Sequence, residues 1–86
     1  MTLQELCGIM LDIDDITLKI EDKSDNFSDF VTSDQEIVTK IINEFSYLKV
    51  NFISAESKHN MLVHIIADYY IDSELYIYIK SVRHKR

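Results

Sequence analysis

The sequence predicts an α+β domain of two layers, with a helix packed on a small, mainly antiparallel sheet. Three observations carry that prediction. Ile37, Ile41, Ile42, Phe45 and Leu48 recur at helical spacing. Apolar and polar residues alternate over 16–20 and 74–82, as in half-exposed strands. The 86 residues are 47% hydrophobic and 28% charged, an ordinary globular composition with enough apolar surface for one core. The expected order is α-β-α-β-β-β over residues 1–82, with 83–86 as a basic tail.

Each element has its own justification. Thr2 caps a helix over 2–11, Glu5 completes a capping box, and Leu3, Leu6, Ile9 and Met10 share a face. In the first strand Ile16, Leu18 and Ile20 alternate with Thr17, Lys19 and Glu21. Residues 22–32 read as a polar loop holding Phe27 and Phe30. The principal helix spans 33–48, with Ser33 as N-cap and Glu36 three residues on. Asp34 and Glu36 suit its positive end, Lys49 lies past the other, and Lys40 and Glu44 form an outer pair worth ~0.3 kcal/mol.

Val50 and Phe52 then begin a strand. Residues 61–70 are a continuous apolar run, assigned to strand because β-branched and aromatic residues dominate. In the last strand, 74–82, Leu75, Ile77 and Ile79 face one way and Tyr76, Tyr78 and Lys80 the other. The expected core is Ile37, Ile41, Phe45, Val50, Phe52, Val63, Ile65, Ile77 and Ile79.

Composition excludes several classes. With Gly8 as the one glycine and no proline, a glycine-rich phosphate cradle is ruled out. Turns must use Asn, Asp and Ser, as at Ser24-Asp25-Asn26. Cys7 is the single cysteine and cannot form an internal disulfide; it reads as a small core residue beside Leu3 and Leu6. No apolar stretch is long enough to span a membrane, and the expected location is cytoplasmic.

Charge is the most informative functional feature. Residues 1–36 hold ten acids against Lys19 and Lys23, whereas residues 37–86 hold five acids against seven Lys and Arg. The chain totals −6, with the negative field concentrated in its first part. Asp12, Asp14 and Asp15 form one acidic cluster, but calcium-loop spacing fails in both registers. Starting at Asp12, the sixth and twelfth places hold Thr17 and Lys23; starting at Asp22, they hold Phe27 and Ser33. No metal or cofactor is expected. The histidines His59, His64 and His84 are scattered, with His64 read as a satisfied structural residue inside an apolar run. No nucleophile motif is present, so the chain is not expected to be an enzyme.

The loop Asp25-Asn26-Phe27-Ser28-Asp29-Phe30, followed by a helix, resembles the segment before the prosthetic-group serine of acyl carrier proteins. That resemblance covers residues 20–52 and implies an all-helical fold with Ser33 as attachment point. Val31-Thr32-Ser33-Asp34-Gln35 departs from the family's Gly-x-Asp-Ser-Leu motif. A degenerate carrier-like domain is therefore a minor alternative.

The leading expectation is a small acidic inhibitor, of the kind represented by immunity proteins, antitoxins and phage anti-defence proteins. It would act as a nucleic-acid mimic on a basic surface of its target, a nuclease or toxin, without touching nucleic acid itself. Asp12, Asp14, Asp15, Glu21, Asp22, Asp25 and Asp29 would supply the charge, and Phe27, Tyr76 and Tyr78 the aromatic anchors. The alternative is an adaptor that assembles, as a homodimer for instance, through the edge of its C-terminal strand. The cations Lys80, Arg83, Lys85 and Arg86 are expected to solubilise the chain end or to reach the acidic loop.

Overall fold

A computed structural model of the chain describes residues 1–7, 15–55 and 60–84. These residues form a small α+β domain with a four-stranded mixed sheet and helices. In chain order the elements are α1 (Leu3–Cys7), β1 (Asp15–Asp22), β2 (Phe30–Thr32), α2 (Gln35–Glu44), β3 (Val50–Ala55), β4 (Asn60–Ala67) and α3 (Ser73–His84).

The sheet runs β2-β1-β4-β3. β1 pairs antiparallel with β2, and β4 antiparallel with β3, but β1 and β4 lie parallel at the centre. The sheet is therefore mixed, not mainly antiparallel. The central register sets Leu18 beside Val63 and Ile20 beside Ile65, all four buried on one face. These side chains form one core with Leu3 and Leu6 of α1, Val38 and Ile41 of α2, and Leu75, Tyr76 and Ile79 of α3.

Local chemistry explains the element ends. The Thr2 capping box forms: Glu5 N donates to Thr2 Oγ1 at 3.3 Å, and Thr2 N donates to Glu5 Oε1 at 3.1 Å. These bonds hold the Glu5 carboxyl below its ordinary pKa. The N-cap of α2 is Asp34, whose Oδ1 accepts from Glu36 N at 3.0 Å, and not Ser33. Ser33 Oγ sits 2.9 Å from Thr17 Oγ1 instead. Gln35 joins α2 to β1, donating to Ile16 O at 3.0 Å and accepting from Ile16 N at 3.3 Å.

Several expectations are corrected. Residues 74–82 are helix, so α3 stands where the C-terminal strand was expected, and the described residues offer no such strand to assemble through. Its buried residues, Leu75, Tyr76 and Ile79, follow a helical stripe, and Ile77 points outward at 66% exposure. Phe52, expected in the core, is 49% exposed because the register shifts between Val50 and Phe52 and turns its ring to the other sheet face. Ile37 and Val50 are half-buried, whereas Ile41, Phe45, Val63, Ile65 and Ile79 are core as expected.

The expected loop 22–32 ends in β2, whose Phe30 and Thr32 turn inward. The principal helix is shorter than 33–48, and β4 stops at Ala67, leaving Tyr69 and Tyr70 in a turn. Arg83 belongs to α3, so the expected tail does not begin there. The resemblance to acyl carrier proteins implied only helices, and the sheet contradicts it.

Candidate functional site

The loop after β1 is built around a carboxylate. Asp22 is 5% exposed and accepts from Ser24 N, Asn26 N at 2.7 Å, Ser24 Oγ and, from across the chain, Tyr69 N at 2.9 Å. Burial alone would raise its pKa; the bonds from Tyr69, Ser24 and Asn26 outweigh burial and lower it. Asp22 is thus an internal strut and not a contact residue, which corrects its expected role. Asp25 follows it at φ 58°, a left-handed position that aspartate tolerates through its short polar side chain.

An aromatic cluster seats this loop on α3. Phe27 stacks on Tyr69 at 5.9 Å and meets Tyr76 edge-on at 5.1 Å. The α3 cations close over the cluster. Arg83 lies 4.7 Å from the Phe27 centroid and donates to Ser28 Oγ at 3.2 Å and to the Asp29 carbonyl at 3.0 Å. Lys80 Nζ donates to the Tyr69 hydroxyl at 2.9 Å. Arg83 therefore bonds to the acidic loop, and Lys80 reaches it only through the Phe27 ring, 5.9 Å from its centroid.

Tyr76 is 3% exposed, so it is a core residue and not an exposed anchor. Its hydroxyl has no hydrogen-bond partner among the described residues. Burial first, then the nearby carboxylates led by Asp22, push its pKa up. Phe27 is half-buried within the same cluster.

The remaining predicted residues separate in space. Asp12 and Asp14 lie outside the described residues. Asp15 and Glu21 share the sheet face opposite the core, by the alternation of β1. There Glu21 Oε2 is 3.1 Å from His64 Nε2, while His64 Nδ1 is 3.0 Å from the Asn51 amide. Phe52 covers that imidazole, with ring centroids 4.6 Å apart. His64 is thereby buried and satisfied, as the sequence suggested.

The same face carries Val31 of β2 and Ile66 of β4, exposed at 56% and 37%. Asp29 approaches its edge, 3.9 Å from Lys19 Nζ. Asp15, Glu21 and Asp29 thus lie on or beside the face that exposes Val31, Phe52 and Ile66, with Lys19 and His64 standing between Val31 at one sheet edge and Phe52 at the other. Sequence reading located these acids but missed all three apolar members, because only the strand register and the shift in β3 assign them to that face.

Tyr78 is elsewhere, half-buried between α2 and α3, with Lys40 Nζ 5.4 Å from its ring centroid. Burial, then Glu44 and Asp34, raise its pKa. Among the described residues no group of three or more His, Cys, Asp or Glu is placed to hold a metal ion, and no helix is long and apolar enough to cross a membrane. Comparison with family models, curated proteins and solved structures finds no match to this chain.

Proposed function

We propose that the chain is a small protein-binding inhibitor that presents the outer face of its sheet to a basic surface on another protein, of the kind that otherwise holds nucleic acid. In this reading the domain has two layers, with the helices on one side of the sheet and the other side left for the partner. The observation that carries it is the exposure of Val31, Phe52 and Ile66 on the sheet face that also carries Asp15 and Glu21, with Asp29 at its edge. Large apolar side chains exposed on one sheet face favour a protein contact, and the three carboxylates there outnumber Lys19 and favour a cationic one. The excess of acids in the first 36 residues gives the same sign to the long-range field.

The test is affinity capture from extract of the source cells with two baits, wild type and Phe52→Lys/Val31→Lys. A cationic protein retained by wild type, lost with the variant and released by salt supports the reading. Equal retention by both baits removes the sheet face from it.

A second reading, assembly through a strand edge, rests on β3. Residues 50–55 at the sheet edge contain no charged side chain, and Phe52 and Ile53 are exposed. The first part of this edge is already covered, since Val50 N donates to Met1 O at 2.8 Å and Thr2 bridges Lys49. Pairing would use the remainder. Concentration-dependent dimerisation that persists at high salt favours this reading over the electrostatic one.

A further inference from the structure

A groove of about 450 Å³ runs between α2 and α3, on the helix side of the sheet. Its floor is apolar: Ile37, Tyr78 and Val82, each half-buried against the core. Its lip carries Asp34 and Glu36, both exposed, and Lys40. Lys40 is engaged along its own helix, with Nζ 3.7 Å from Glu44, and the same ammonium lies 5.4 Å from the Tyr78 ring centroid, leaving the faces of Ile37 and Val82 and the two carboxylates open. The lip therefore presents net negative charge above an apolar floor.

The shape and sign together describe an occupant with a flexible apolar stem and a cationic end. Lysine and arginine side chains have this form, and they bury their methylenes along apolar surface while the head stays polar. An anion would meet the two carboxylates, and a purely apolar group would make no use of their charge. The raised Tyr78 pKa, to which Asp34 and Glu44 contribute after burial, is a second sign that negative potential reaches the groove.

We propose that this groove seats a lysine or arginine side chain from a basic segment of a partner protein, its stem along Ile37, Tyr78 and Val82 and its head at Asp34 and Glu36. The site is distinct from the outer sheet face and does not depend on that face binding anything.

The experiment uses blocked tripeptides as probes, Gly-Arg-Gly and Gly-Lys-Gly, with the neutral Gly-norleucine-Gly as control. Each is titrated into the ¹⁵N-labelled full chain and followed by amide chemical shifts. Three proteins are compared: wild type, Asp34→Ser/Glu36→Gln, and Asp15→Asn/Asp25→Asn. Serine preserves an N-cap on α2, and the third protein loses the same charge away from the groove. Glu36→Gln alone provides a variant that leaves the cap untouched.

Saturable shifts confined to residues 34–40 and 78–82 are expected with the cationic probes. They should weaken about tenfold in the groove variant and stay unchanged in the distant one. A smaller weakening in the same direction is expected for Glu36→Gln. A response to one cationic probe only would identify the preferred head group and support the site. Shifts scattered over Asp15, Asp25 and Asp29, or equal weakening in both double variants, would overturn the groove while leaving an acidic protein-binding surface intact. Equal binding of the norleucine peptide, or no shift with any probe, also overturns it.

Discussion

At the scale of single residues, Asp22 is the clearest case of an acid whose work is internal. Its carboxylate gathers amides from Ser24, Asn26 and Tyr69, the last from 47 positions away. Asp22→Ala should cost about 1–3 kcal/mol, because buried amides lose their acceptor. Urea unfolding measures this directly. The pH dependence has a definite sign. A carboxyl whose folded pKa lies below its unfolded value stabilises the fold above the unfolded pKa and loses that contribution as pH falls through the folded one. Wild type should therefore lose stability below about pH 4, and Asp22→Asn should show a flatter acid limb. Equal acid limbs would mean that another carboxylate dominates. Half of this strut is legible in the sequence: aspartate followed by Ser24 and Asn26 is the pattern of a side chain that folds back on its own turn. The other half, the bond from Tyr69, depends on β1 and β4 lying parallel with Asp22 beside Ala67, which local pattern does not encode.

At the scale of elements, α3 shows how two periods can share one sequence. Leu75, Ile77 and Ile79 fit a strand's alternation, while Leu75, Tyr76, Ile79 and Val82 fit a helix's stripe. Packing against the core selects the helix over the β-propensity of the isoleucines and tyrosines, a tertiary override of local preference. The two readings predict opposite mutants. Ile79→Ala should cost about 2–5 kcal/mol, whereas Ile77→Lys should fall within about 0.5 kcal/mol of wild type. If Ile77→Lys is as damaging as Ile79→Ala, α3 is wrongly oriented. The elements read correctly include those with a local signal, the Thr2 capping box, the alternation of β1 and the apolar stripe of α2, and also the β-branched runs that form β3 and most of β4. β2 is only three residues long and escapes any pattern, being fixed by its pairing with residues 18–20. Arg83 then ties α3 to the loop before β2 through carbonyls and the Phe27 ring. Arg83→Lys should not replace it, because an ammonium lacks the planar fork that stacks and donates at once. Hydrogen exchange at residues 24–29 should quicken in both Arg83→Ala and Arg83→Lys. Protection retained in the lysine variant would reduce the contact to simple charge.

At the scale of the whole molecule, the net charge of −6 divides into acids with structural roles and acids that face solvent. Glu5 and Asp34 cap helices, and Asp22 supports its loop. Asp15, Glu21, Asp25 and Asp29 are exposed, and three of them border the outer sheet face. Any long-range steering of a basic partner toward that face should therefore act mainly through these four. Reversing them to lysine changes the charge by eight units while leaving the core contacts in place. Surface positions such as Asp15 and Asp29 usually shift stability by no more than about 0.5 kcal/mol, whereas lysine at Asp25, held at φ 58°, adds about 1–2 kcal/mol of left-handed backbone cost that Asp25→Lys alone measures. Loss of the Glu21–His64 contact adds a cost that Glu21→Gln, tested in parallel, measures separately. With a captured partner immobilised, the quadruple variant should associate at least about tenfold more slowly than wild type at low salt. The difference should shrink as salt rises, because the Debye length falls from about 10 Å at 0.1 M to about 3 Å at 1 M. Dissociation, governed by Val31, Phe52 and Ile66 in this reading, should change much less. A variant that associates as fast as wild type at every salt concentration would make the acidic excess a matter of solubility, and would leave the neutral edge of β3 as the surface by which this chain meets another.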